Sequence, residues 1–251
     1  MTSVSVVCGV MDREEHLLES LPTWLACPEV GEVVLVDWSS KKAILPPDDP
    51  RVVIVRVEGQ RHWHPSKCHN LGLRLTTCPK ILRLDADHQL KEDFFERHQL
   101  DRPNHFFCVD QPSVCDTDEI HLAGVVYAWR TELMVVGGYN ERIATYGYED
   151  NDLVERLKGL GSLASWVQID TLHHIPHSDA ARLCNQNVSH LEGPRPACFS
   201  WAWNLGVVHR SIAANREFAK KAPWSPGNGD RMAVFEVLHV ARRFVVCQEV
   251  L

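Results

Sequence analysis

Three runs of β-branched and apolar residues constrain this chain more than any other feature: Ser3-Val4-Ser5-Val6-Val7-Cys8, Glu32-Val33-Val34-Leu35-Val36-Asp37 and Val52-Val53-Ile54-Val55. Near-continuous apolar strands of this kind are buried on both faces, the habit of parallel sheets covered by helices. Helix signals fall between them. Asp12-Arg13-Glu14-Glu15 has the spacing of a capping box, with Asp12 as N-cap and Glu15 reaching back. Pro46-Pro47-Asp48-Asp49-Pro50 turns the chain between the second and third runs. Pro65 can open a helix that carries Leu71, Leu73 and Leu75 toward the next strand. This βαβ order predicts an α/β fold, a mostly parallel central sheet flanked by helices, with ligands at the carboxyl ends of the strands.

A fourth run, Ile81-Leu82-Arg83-Leu84, ends in Asp85-Ala86-Asp87. Strand alternation points two acids separated by one residue toward the same side, a geometry that can hold a hard divalent cation. Such an ion, given one or two carboxylates, fills its other positions with water and ligand phosphates. An Asp-x-Asp triplet alone is more often a solvated strand-end turn, so the rest of the chain decides.

Beyond Asp87 the texture turns α+β. Phe94-Phe95 reads as a short helix, and Phe106-Phe107-Cys108-Val109 and Val125-Val126-Tyr127-Ala128 read as strands. Residues 149–160 read as a helix with Leu153, Val154 and Leu157 on one face, followed by a strand at Trp166-Val167-Gln168-Ile169. From residue 178 onward the expectation is polar loops, an aromatic patch at Phe199-Ser200-Trp201-Ala202-Trp203, and a helix over 232–246. The expected organisation is a core over 1–178 with a helical and loop extension, 179–251, packed on it. Glycine at positions 137 and 138, and the region of Trp63, suggest mobile loops.

The composition excludes several classes. A formal charge of −7, with no long Lys/Arg cluster, argues against a nucleic-acid partner. No run approaches the ~18 to 20 apolar residues of a membrane span, so the expected location is the cytoplasm. Nine cysteines without Cys-x-x-Cys spacing fit reduced thiols.

Two further segments carry chemistry. Gly147-Tyr148-Glu149-Asp150-Asn151-Asp152 places three carboxylates in the first turn of a helix. Acids there complement the helix dipole, which is reason enough for one or two, but one so oriented can also serve as a general base. His173-His174-Ile175-Pro176-His177 carries three imidazoles in five positions. It matches neither His-Glu-x-x-His nor a zinc-finger spacing, which leaves a mixed carboxylate and imidazole site for Mn²⁺ as the stronger metal reading.

Taken in order with Asp12-Arg13-Glu14-Glu15-His16-Leu17, Val36-Asp37-Trp38-Ser39-Ser40, Asn70-Leu71-Gly72-Leu73-Arg74 and Gly137-Gly138-Tyr139-Asn140-Glu141, these segments resemble the GT-A glycosyltransferases. The similarity is to the β-1,4-galactosyltransferase C-terminal domain and to bacterial chondroitin-polymerase-type modules, over about residues 3 to 178. It implies a GT-A fold and a metal-dependent inverting transfer of a hexose or N-acetylhexosamine from a UDP-sugar to an acceptor hydroxyl on a glycan or small molecule, with Mn²⁺ or Mg²⁺ as cofactor. By the same resemblance Asp37 reads the uracil, Arg13 lies near the nucleotide, and Lys67 and Asn70 flank the donor pocket. Asp85 is implied at the ribose with Ala86 beside it, Asp87 as a metal ligand, and His174 as the late histidine ligand, with His173 and His177 as alternatives. Asp150 is implied as the catalytic base and Glu149 as the neighbouring acid that holds the acceptor. Two rival readings are a nucleotidyltransferase, whose basic or glycine-rich triphosphate cradle the sequence lacks, and a nucleotide-sugar-binding module without transfer.

Overall fold

The computed structural model describes residues 3–45, 47–114, 118–177, 185, 201–225, 230–241 and 243–250. The first apolar run forms strand β1 (Val4–Val10), every residue of which is buried, and it lies at the centre of a nine-stranded sheet. Strands β2 (Val30–Trp38) and β4 (Lys80–Arg83) flank β1 in parallel, and β3 (Val52–Glu58) extends the parallel set beyond β2. Strand β5 (His88–Leu90) leaves this sheet. On the far side of β4 lie β7 (Val126–Trp129), antiparallel to both its neighbours, then β6 (His105–Cys108) and, parallel to it, β8 (Leu163–Trp166). The sheet is mostly parallel, and the fold is the α/β one expected.

Alternation along β1 divides the core. Val6, Cys8 and Val10 face the apolar stripe of helix α1 (Glu14–Ala26), while Val7 faces the other side, with Cys68, Leu71 and Leu73 of helix α2 (Pro65–Leu75). Burying side chains such as Leu17, Leu73 and Trp24 contributes about 1.5–3 kcal/mol each, which makes these two layers the main source of stability. Pro65 opens α2 as the sequence indicates, and His64 caps it by accepting the Lys67 N–H through Nδ1. Three short helices follow: α3 (Phe94–Arg97), α4 (Gln111–Val114) and α5 (Arg130–Val135). Helix α6 (Glu149–Gly159) places Leu153 and Leu157 in the second layer, and α7 (Trp201–Lys221) lies against it.

Several expectations are overturned. The segment 232–246 is not helical: β10 (Val234–Ala241) and β11 (Phe244–Val250) form an antiparallel hairpin, and β11 pairs in parallel with β3. Its valines favour a pleated surface, and the open edge of β3 supplies the backbone partners. No capping box forms at Asp12. Helix α1 starts at Glu14 with Arg13 as N-cap, and the Asp12 carboxylate instead accepts the Lys41 N–H at 2.8 Å, with Asp12 itself at φ +56°. The strand expected at residues 166–169 ends at Trp166, and a 3-10 turn (Ile169–Thr171) leads into β9 (Leu172–His174).

The loop at 137–141 is pinned, contrary to the mobility inferred from its glycines. Gly138 has φ +60°, and a Cβ there would lie 2.1 Å from Asn70 Oδ1. Arg156 Nη1 donates to the Gly138 carbonyl at 2.7 Å, and Trp224 Nε1 donates to that of Gly137 at 2.9 Å. Positive φ and close approach, not freedom, are what these glycines supply. The expected polar loops of 178–184 and 186–200, with Phe199 and Ser200 of the aromatic patch, lie outside the described residues, as do the side chains of Trp201 and Trp203. Among the described residues no helix is long and apolar enough to cross a membrane, and six described cysteines are free and buried.

Candidate active site

The carboxyl end of β4 is the pivot. From it the chain turns through Asp85 and Asp87 into β5, and β5 pairs antiparallel with β9, placing His88 opposite His174 and Gln89 opposite His173. This three-residue ladder joins parts of the sequence almost ninety positions apart, and the Ile175 N–H donates to the Asp87 carbonyl at 2.8 Å to lock it. The Trp24 indole of α1 braces the ladder from below by donating to the His88 carbonyl at 2.7 Å.

Asp87 Oδ2 lies 2.8 Å from His177 Nε2 and 3.7 Å from His174 Nε2. One donor atom from each of the three residues lies within 4.8 Å of the others. His174 Nε2 is buried and makes no hydrogen bond. Such an orphaned imidazole nitrogen facing a carboxylate is the donor set that a divalent cation satisfies. Two imidazoles with one carboxylate suit Mn²⁺ better than Mg²⁺, which prefers oxygen. Burial works against the charge of Asp87, but the facing imidazoles of His174 and His177 hold its carboxyl far below the usual range. His173, which alternates to the opposite face of β9, is exposed and takes no part. His88 supports the turn: its Nδ1 accepts the Asp85 N–H at 3.2 Å, which assigns the proton to Nε2 and directs it to the His121 carbonyl at 3.0 Å. His16 of α1 packs edge-on to His177, with ring centroids 5.8 Å apart.

The second acidic centre sits at the start of α6. Gly147 and Tyr148, at φ +89° and +77°, swing the chain into the helix so that Glu149 and Asp150 point inward. Helix α7 holds this turn: Ser211 Oγ donates to the Tyr146 carbonyl and Asn215 Nδ2 to that of Gly147, each at 2.7 Å. Glu149 Oε2, Asp150 Oδ1 and the Tyr139 hydroxyl are buried without hydrogen-bond partners. Burial pushes Asp150 up to about 6, the nearby Arg83 guanidinium restraining the rise. Glu149 is pushed up further, by burial and by the Asp150 charge beside it. The two carboxyls, side by side, are thus both held above their ordinary range, Glu149 the more strongly.

Arg83, which sequence reasoning passed over, joins the turn after β4 to the start of α6. Its guanidinium forks onto Asp85 at 2.7 and 3.1 Å and stands 4.0 Å from Asp150 Oδ1. A lone arginine inside the apolar run Ile81-Leu82-Arg83-Leu84 was the available signal, since a buried charge needs partners.

The other expected donor-site residues are placed differently. Asp37 is fully buried, and its carboxylate accepts from Arg56, from the Ser40 N–H at 2.9 Å and from the Ile44 N–H at 3.3 Å, which organises the loop after β2. Asn70 is also fully buried: its amide bridges the Tyr139 backbone and Glu141 Oε1 and so anchors the 137–141 loop. Lys67 pairs with Glu249 of β11. Arg13 is half-buried at the N-cap of α1, and Ala86 is buried between the two acids of the turn.

Residues 104–178 match the family described as the N-terminal domain of galactosyltransferase. The fold is that of GT-A glycosyltransferases. It is similar to the catalytic domain of Drosophila β1,4-galactosyltransferase 7 in complex with xylobiose, at TM-score 0.58 and 15% identity over 99% of this chain and 93% of that one. A variant of that enzyme in complex with manganese, UDP-Gal and xylobiose matches at TM-score 0.59 and 14% identity over the same shares. The mannosyltransferase PcManGT from Pyrobaculum calidifontis, in complex with GDP-Man and Mn²⁺, matches at TM-score 0.56 and 18% identity over 90% of this chain and 77% of that one. The sequence matches no curated protein.

Proposed function

We propose that this protein is a metal-dependent inverting glycosyltransferase that moves a hexose or N-acetylhexosamine from a UDP-sugar to an acceptor hydroxyl of a carbohydrate or small molecule. The observation that carries the reading is the Asp87, His174 and His177 cluster, a cation-shaped donor set at the carboxyl end of β4. These three residues would hold Mn²⁺, which when bound neutralises the diphosphate leaving group. Manganese accompanies the nucleotide sugar in both the galactosyltransferase and the mannosyltransferase of similar fold, which supports the assignment.

The chain's own residues account for the rest. Asp150, ionised near neutral pH but raised by burial, takes the proton of the acceptor hydroxyl. Glu149, kept protonated beside it, donates a hydrogen bond to the acceptor. Attack by that hydroxyl from the face opposite the departing nucleotide inverts the anomeric centre. Positioning and exclusion of water then supply much of the rate, because water competes for the same donor.

A thermal-shift panel of UDP- and GDP-sugars with and without Mn²⁺ tests the donor. A specific ligand raises Tm by mass action, so the expected result is a UDP-sugar shift that needs Mn²⁺. A shift with GDP-mannose alone moves the donor class, and equal shifts without metal overturn the cation site.

A further inference from the structure

The geometry points to Arg83 as a positioning residue that fixes Asp85, in the turn after β4, and Asp150, at the start of α6, in one arrangement. The inference rests on reading Asp150 as the base.

Arg83 is buried, and its Nη1 and Nη2 donors point to three different parts of the chain. The forked pair grips Asp85 just past the end of β4, and Nη2 also donates to His69 Nε2 of α2 at 2.8 Å. That bond places the His69 proton on Nδ1 and keeps the fully buried imidazole neutral, since burial and the adjacent guanidinium both oppose its charge. Nη1 faces Asp150 at 4.0 Å. The slot is shaped for a guanidinium. A methyl on Gly124 would lie 2.0 Å from Nη1 and 3.0 Å from Asp150 Oδ2, so only a glycine lets the backbone pass this close.

The groups facing Asp150 are Arg83 from β4, Asp85 from the following turn, Glu149 from α6 and Tyr139 from the loop after α5. Arg83 is the cation among them. Burial and the Asp85 charge oppose ionisation of Asp150, while the Arg83 guanidinium and, to a lesser extent, the Tyr139 hydroxyl favour it. An arginine beside an aspartate lowers its pKa by about 1–3 units, enough to decide whether the base is ionised at neutral pH. Arginine and lysine are not equivalent here, because only the planar fork can hold Asp85 while facing Asp150.

The experiment compares Arg83→Gln, Arg83→Lys and Asp150→Asn in the full chain. Two readouts are used: the pH dependence of kcat, and the titration of the Asp150 carboxyl followed by carbon NMR in metal-free protein. In Arg83→Gln the Asp150 titration and the acid limb of kcat should both move up by about 1–3 pH units, with turnover recovering as pH rises. Arg83→Lys should keep the acid limb near that of the parent and lose donor affinity through Asp85. If Arg83→Gln does not fold, Gly124→Ala, whose methyl displaces Nη1, should shift the titration in the same direction by less. An unmoved Asp150 titration in whichever variant folds overturns the proposal. Undiminished turnover in Asp150→Asn would instead remove Asp150 as base, while the NMR titration would still report whether Arg83 governs it.

Discussion

The two acidic centres of this molecule are built from the same residue types and behave oppositely. Asp87 faces imidazoles, and its carboxyl is driven down; Asp150 lies half-buried beside the buried Glu149, and theirs are driven up. At the proposed metal side the partners are the imidazoles of His174, on β9, and His177, just past it, and His174 Nε2 makes no hydrogen bond. At the proposed base side the cation facing Asp150 among the described residues, Arg83, belongs to the protein and is already in place. Neighbours, not residue type, therefore separate the proposed cation site from the proposed base, as expected when paired carboxylates divide acid and base roles.

The strongest way to break this contrast is Asp150→Asn. Loss of a general base should reduce turnover by ~10²–10⁴ while Mn²⁺-dependent UDP binding, measured by calorimetry, stays close to that of the parent. Equal losses in both quantities would show that the two centres are not chemically distinct. Asp87→Ala should do the reverse in binding. It removes a direct ligand, so the Mn²⁺-dependent part of UDP affinity should fall by more than the ~10–100-fold typical of losing a supporting residue.

A pH series sharpens the same comparison. With Asp150 as the proposed base its ionised form is the active one, so kcat should fall as pH drops through about 6, where an unperturbed aspartate would hold its activity to ~4. Stability runs the other way. A carboxyl whose folded pKa is raised makes the folded state bind protons more readily than the unfolded one, so its contribution is greatest below the unfolded pKa and declines as pH rises toward about 6. Asp150→Asn should therefore lose less stability than the parent between pH 4.5 and 7 by thermal denaturation. Parallel pH curves for the two proteins would place Asp150 in an ordinary solvated setting.

What the sequence disclosed, it disclosed locally. Asp85-Ala86-Asp87 and Glu149-Asp150 stand at a strand end and a helix start, where alternation and dipole arguments reach them directly. The pairing of β5 with β9 was not legible, because three-residue strands carry no periodic signal and their register is set by the fold around them. For that reason only the resemblance ranks His174 ahead of His173 and His177, and it is the ladder that turns His173 outward. Asp37 and Asn70 lay in the expected segments, but their burial and their committed hydrogen bonds cannot be read from a motif. The C-terminal hairpin was missed because an apolar run rich in valine suits either period until a partner edge exists, and β3 provides one.

The smallest effect expected tests whether the base side depends on support that the metal side does not share. Ser211 of α7 donates to the Tyr146 carbonyl at 2.7 Å, just before the left-handed turn that aims Glu149 and Asp150. Ser211→Ala removes that bond and leaves the buried carbonyl facing Asn215 Nδ2 at 3.3 Å, a weaker partner. A lost hydrogen bond of this type costs about 1 kcal/mol, which corresponds to a Tm decrease of ~2–4 °C in a chain of this size. Because Ser211 and Asn215 of α7 bond the turn at 145–147, the loss should appear in kcat, by a few-fold, and leave Mn²⁺-dependent UDP binding unchanged. A matching loss of metal-dependent binding would mean that the two centres move together, and the guanidinium that joins the turn after β4 to the start of α6 would then be the obvious route of that coupling.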